Sequence, residues 1–166
     1  MRKVNAADKE LHFEGQEVEL GTTLELSGTK AGEIEQTEIL SNGKYTVIAT
    51  FPSINTNVCD LQILRLSEIS KEFPMFNYYS FSQDLPFALN EYVTNHPTGN
   101  ITMYSDHKDR VMAKQLGLLL HEWKLLGRAM FVLDPENKVI YKQINSDIKQ
   151  QVDFDKFVAK LKELSV

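Results

Sequence analysis

The sequence predicts an α/β fold: a mixed central β-sheet flanked by helices and preceded by a small N-terminal β-hairpin. Two observations carry this. Short β-branched and aromatic runs alternate with segments whose apolar residues recur at helical spacing, and the last strands are joined by a tight turn and followed by an amphipathic segment. A length of 166 residues with 42% apolar content suits one domain, residues 1–166, with a buried core.

Residues 11–20 alternate apolar and polar side chains around Gly15, which predicts the hairpin. Gly28 and Gly32 fall in a loop, and Asn42-Gly43 is a turn signal. Residues 45–51 (Tyr-Thr-Val-Ile-Ala-Thr-Phe) are β-branched and aromatic enough for a central strand, which Pro52 ends. From about residue 57 to 73, Ile63, Leu66, Ile69 and Phe73 recur at helical spacing, while Arg65, Glu68, Lys71 and Glu72 fill the other face. Residues 78–81 predict a second strand, and Pro86 opens a short helix running to about Tyr92. A loop over 95–100, with Pro97 and Gly99, precedes a short strand over 101–103. Asp106 can cap a helix that continues to about Leu116. Residues 129–133 and 138–144 flank Asp134-Pro135-Glu136-Asn137, with proline where a type I turn favours it. Behind Asp153, the stripe Phe154, Phe157, Val158, Leu161 and Leu164 predicts a closing helix. Strand–helix–strand–helix–strand, then a hairpin and a helix, is the thioredoxin-like layout, although other small α/β layouts match the pattern almost as well.

A formal charge of −5 argues against a nucleic-acid partner, which would leave a basic face. No apolar run approaches the roughly 20 residues needed to span a bilayer. Residues 1–10 start basic but hold no apolar h-region, so the expectation is a cytoplasmic protein without a membrane partner. His12, His96, His107 and His121 are scattered, none at the i,i+4 spacing of a helical metal site, and read as surface or loop histidines. Phosphate-binding glycine loops, paired catalytic carboxylates and a Ser-His-Asp arrangement are unsupported.

The one cysteine cannot close an internal disulfide, and a lone cysteine is most often a small buried hydrophobe. Its surroundings must decide. Pro52 closes a strand and Thr56 can cap the helix that follows, which puts Cys59 in the first helical turn, exposed at the carboxyl edge of the sheet. First-turn amides lack helical partners and the helix dipole favours an anion there, so a nucleophilic thiolate is stabilised. The Thr56 hydroxyl, three residues back, is placed to hydrogen-bond the sulfur or an attacked oxygen.

Pro52-x-x-x-Thr56-x-x-Cys59 resembles the active-site pattern of peroxiredoxins. Residues 51–60 are similar to the F-P-S-I-D-T-G-V-C stretch of bacterial thiol peroxidases, and residues 82–88 resemble that family's S-A-D-L-P-F-A segment. Residues 101–109 resemble its I-T-L-S-D-H-R-D run and 125–134 its L-L-A-R-A-V-F-V-L-D, so the likeness spans almost the whole chain. The resemblance implies a peroxidatic role for Cys59, with Thr56 and Arg128 as partners and Pro52 shielding the site. It also implies hydrogen peroxide and organic hydroperoxides as substrates, no metal or organic cofactor, and a homodimer with contacts close to the active site. Arg128 offers fixed donors on a cationic fork, able to stabilise a thiolate and hold peroxide oxygens. Judged without the family, a surface arginine in a salt bridge is a fair alternative for Arg128. Trp123, beside Leu125 and Leu126, reads as core or interface.

One departure matters most. Thiol peroxidases usually carry a resolving cysteine shortly after D-L-P-F-A, and alignment places Val93 there. The sulfenic acid must then be resolved by an outside thiol, such as thioredoxin or a low-molecular-weight thiol. Serine is the usual engineered substitute and residues 94–97 also depart from the family, which favours a natural change over an engineered one. The same loss motivates an alternative reading as a peroxide sensor or redox-regulated binding module without sustained turnover. Asn55 and Asn57 replace the family's usual Asp and Gly, and Gly32 stands where many peroxiredoxins have proline, which bears on loop geometry.

Overall fold

Residues rich in β-branched side chains occupy the middle of the sheet in the computed structural model, which describes all of residues 1–166. The elements are β1 (Arg2–Ala6), β2 (Lys9–Phe13), β3 (Ser27–Lys30), β4 (Thr37–Glu38), β5 (Thr46–Thr50), α1 (Asn57–Glu72), β6 (Asn77–Ser82), α2 (Pro86–Asn95), β7 (Ile101–Ser105), α3 (Val111–Leu116), β8 (Ala129–Leu133), β9 (Val139–Ile144) and α4 (Phe154–Leu164). A seven-stranded mixed sheet runs β4-β3-β7-β6-β5-β8-β9. Strand β5 pairs parallel to β6 and antiparallel to β8, and all of its residues are buried. Helices α1 and α2 are the crossovers that parallel pairing of β5 with β6 and β6 with β7 requires.

The pleat sends alternate side chains to opposite faces, so β5 serves two cores at once. Val47 and Ala49 pack with Ile63, Leu66 and Ile69 of α1, Leu89 of α2, and Phe157 and Leu161 of α4. Ile48 faces the other side, with Phe131, Met112 and Leu116 of α3, and Val4, Leu11 and Phe13 of the N-terminal strands. Each of the larger side chains contributes about 1.5–3 kcal/mol on burial, which holds α1 against the sheet.

The hairpin exists but sits earlier than residues 11–20. Strands β1 and β2 pair with Val4 opposite Leu11, and the chain turns where Ala7 takes a positive φ of 56°. Alanine is an unusual residue for that conformation, so Gly15 was the louder signal. Gly15 does adopt a φ of 74°, but in the loop after β2. Asp106 lies further from its helix than a residue-to-helix cap: its carboxylate accepts the amides of Met112 and Ala113, both at 2.9 Å, across a turn ending at Arg110 with φ 52°. Helix α2 runs three residues past Tyr92 to Asn95. The type I turn and closing helix form as expected: Asp134 accepts the Glu136 and Lys138 amides, and Asp153 caps α4 through Lys156. Gly32 has a φ of 83°, a conformation closed to proline.

Candidate active site

Strand β5 ends at Thr50, and the fully buried Phe51 and the buried Pro52 lead into the turn before α1. Thr56 occupies the N-cap position with extended backbone (ψ 150°), so Cys59 stands in the first turn of α1. The amide of Asp60 is the first to find a helical acceptor, at Thr56 O. The amides of Asn57, Val58 and Cys59 therefore remain available at the positive end of a 16-residue helix.

Arg128 approaches from the loop before β8. Its Nη2 donates to Cys59 Sγ at 3.1 Å, Nη1 to Gln62 Oε1 at 2.7 Å and Nε to the Ile148 carbonyl at 2.9 Å. Three acceptors, two on α1 and one in the segment after β9, leave the planar guanidinium one orientation. Arg128 is 2% exposed and none of its acceptors is a carboxylate, so the surface salt-bridge reading does not hold. Pro52, Thr56, Val58, Trp123, Leu125 and Arg128 share the wall of a cleft of about 320 Å³.

Two local expectations change. Cys59 is buried (0% exposed) rather than presented at the sheet edge, packed among Ile54, Ile63 and Leu89. The Thr56 hydroxyl donates neither to the helix nor to the sulfur but to the Ser53 carbonyl, at 3.0 Å. Sequence reasoning also passed over Gln62, which is fully buried, receives Arg128 and donates to the Thr50 carbonyl at 3.3 Å. Its signal was a polar residue interrupting the apolar stripe Cys59, Ile63, Leu66.

A sequence model of the AhpC/TSA family matches residues 17–142. The chain belongs to that family. Among its relatives, thiol peroxidases of Staphylococcus aureus (strain MRSA252) and Clostridium acetobutylicum are 35% and 31% identical, with 93% and 92% of this chain covering 94% and 93% of theirs. A thiol peroxidase of Bacillus subtilis is 32% identical, over 90% of each chain. The structure of a peroxiredoxin-like protein from Aquifex aeolicus superposes with a TM-score of 0.89 at 29% identity, over 99% of this chain and 98% of that one. The thioredoxin-like mixed sheet of the AhpC/TSA family is thus the fold observed, with Cys59 in the turn of helix that follows β5.

In this AhpC/TSA chain the helix that faces the site carries no thiol. Val93 lies on the outer side of α2 and is 36% exposed, while its neighbour Tyr92 turns inward and donates to Asp60 Oδ1 at 2.5 Å. No helix is long and apolar enough to cross a membrane. The histidines sit at or near the surface in pairwise contacts: His96 stacks on Tyr92 with centroids 4.1 Å apart, and His107 meets Ser105.

The other two hold the rim of the cleft. His12 Nδ1 donates to Glu122 Oε2 at 2.6 Å and the His12 amide to Oε1 at 2.9 Å, while Glu14 accepts from His121 and Lys124. These contacts tie residues 121–125, which carry Trp123, to β2. The His12 side chain and amide hold the Glu122 carboxyl at about 2, down from 4.5. A carboxyl depressed by folding supports the tie above its unfolded value and loses it as pH falls through the folded one. Acidification from about pH 4.5 to 2 is therefore expected to free this rim and shift the emission of Trp123, the chain's one tryptophan. Glu122→Ala should bring the same shift at neutral pH; emission unchanged in both cases would disprove the tie.

Proposed function

We propose that the chain is a thiol-dependent peroxidase in which Cys59 is the peroxidatic nucleophile, Arg128 and Thr56 its partners, and Pro52 its shield. The observation that carries this is the 3.1 Å contact from the Arg128 guanidinium to Cys59 Sγ at a helix start with unpartnered amides. Family membership and thiol peroxidase relatives support it.

The thiolate attacks the terminal peroxide oxygen, forming an S–O bond as the O–O bond breaks. The departing oxygen takes up a proton and leaves as water or an alcohol, and Cys59 becomes a sulfenic acid. Arg128 and the free amides of Val58 and Cys59 are fixed donors for the charge that develops on these oxygens. One thiol then condenses with the sulfenic acid, releasing water and leaving a mixed disulfide; a second thiol displaces Cys59 and departs as the disulfide. The sequence holds one cysteine, so both thiols come from outside, from thioredoxin or a low-molecular-weight thiol.

Residues 1–166 act in this reading as one domain, in the cytoplasm and as a homodimer. Two cores sharing one sheet favour the first. Exposed Trp123 on the cleft, and exposed Leu85 and Phe87 elsewhere on the surface, favour the last. The missing second thiol also favours a sensor that is oxidised once and not reset.

One experiment separates these. Reduced protein should consume one equivalent of peroxide and become labelled at Cys59 by a sulfenic-acid trap, and added thioredoxin or small thiol should make consumption continuous. Consumption that stops at one equivalent with every reductant establishes the sensor. Absence of a label on Cys59 overturns the peroxidatic assignment.

A further inference from the structure

Asp84 lies in the loop between β6 and α2, partly buried, in the segment 82–88 whose role the chemistry above leaves open. Its carboxylate takes three hydrogen bonds: from Ser53 Oγ at 3.1 Å, from the Ile54 amide at 2.9 Å and from Ser82 Oγ at 2.8 Å. None of the donors is a cation, so the carboxylate serves as an acceptor hub and not as half of a salt bridge. Ser82 is fully buried at the end of β6, which gives the hub a rigid footing. The other two donors belong to the turn that delivers the chain into α1.

What those donors hold is the wall over Cys59. The Ser53 carbonyl accepts both the Thr56 amide at 3.3 Å and the Thr56 hydroxyl at 3.0 Å. Ser53, Pro52 and Thr56 all line the cleft that Arg128 reaches from the other side. The path from scaffold to site runs Ser82, Asp84, Ser53 and Ile54, then Thr56. We propose that Asp84 is a positioning residue: it fixes the Pro52–Thr56 turn against β6 and thereby sets where Thr56 and the helix start meet the peroxide. This rests on the peroxidase reading of Cys59.

The substituent chemistry makes the idea testable. Alanine at 84 removes every acceptor, whereas asparagine keeps one carbonyl oxygen for the Ile54 amide and Ser82, and offers an NH2 that the Ser53 hydroxyl can accept. Misplacement of a reacting group by about 1 Å slows reaction on the order of 100-fold. Stopped-flow oxidation of Cys59 by hydrogen peroxide is therefore expected to slow about 10- to 100-fold in Asp84→Ala and to stay within about 3-fold of wild type in Asp84→Asn. Alkylation of Cys59 by iodoacetamide, which makes no demand on peroxide placement, should not slow in either variant. Where Asp84→Ala does not fold, Ser53→Ala takes its place, with a smaller but equally selective loss.

Three results overturn the proposal: oxidation at the wild-type rate in Asp84→Ala (or in Ser53→Ala as its substitute), oxidation and alkylation falling in parallel, or Asp84→Asn as slow as Asp84→Ala. A wild-type protein that alkylates normally yet ignores peroxide removes the peroxidase reading and this proposal together.

Discussion

A Cys59→Ser protein is expected to consume peroxide no faster than buffer, a loss of at least about 10³-fold, while folding as the parent does. The chain holds one cysteine, so no second thiol can take over the attack. Serine is close in shape, and its hydroxyl can still accept from Arg128 Nη2, which now meets the sulfur at 3.1 Å. The packing of Ile54, Ile63 and Leu89 around position 59 should lose little, and the melting temperature should stay within a few degrees. What disappears is the polarisable sulfur nucleophile, because a serine hydroxyl at this site has no general base beside it. A coupled peroxidase assay with matched thermal melts checks both halves. Wild-type turnover by Cys59→Ser would sink the nucleophile assignment, and an unfolded variant would leave the comparison to alkylated wild-type protein, which should be equally inactive.

How much of this could be read beforehand depends on whether the cause is local. Strand β5 and helix α1 were legible because four of residues 46–50 are β-branched and Ile63, Leu66 and Ile69 recur at helical spacing, properties that survive in the bare sequence. The Asp134-Pro135 turn was legible for the same reason. The hairpin was misplaced because its turn relies on Ala7 in a conformation that sequence associates with glycine. Asp106 caps α3 from six residues away through a folded-back turn, which no spacing rule describes. The site divides along the same line. Cys59, Thr56, Pro52 and Arg128 were picked out by pattern and resemblance, and the fold brings Arg128 onto Cys59 across 69 positions of sequence. The depth of Cys59 follows from α1, α2 and β5 closing around it, a tertiary effect that a first-turn position does not encode. The hydroxyl of Thr56 turned to Ser53 for a related reason: the turn is pinned from outside by Asp84, on another strand–helix loop.

Arg128→Met should slow oxidation of Cys59 by peroxide about 10²- to 10³-fold, the usual loss when a fixed donor to a developing anion is removed from a water-poor site. The fold should survive it. Methionine fills much of the same space, but the Gln62 Oε1 and the Ile148 carbonyl lose their donors, which costs about 1–3 kcal/mol for each buried group left unpaired. Against that, the wild type buries a guanidinium at 2% exposure whose acceptors are a carbonyl, an amide oxygen and a sulfur, without a carboxylate. Removing a buried cation that lacks a carboxylate partner offsets part of the loss, so net stability should move by no more than about 2 kcal/mol. Arg128→Lys separates charge from geometry. A single ammonium group cannot reach Ile148, Gln62 and Cys59 together, so it should recover only part of the rate. Stopped-flow oxidation beside denaturant unfolding of all three proteins makes the measurement. Wild-type rates in Arg128→Met, or rate losses that track unfolding alone, would mean that the 3.1 Å contact holds the core together without serving the reaction. Full recovery by lysine would mean that charge matters there and the three-point fork does not.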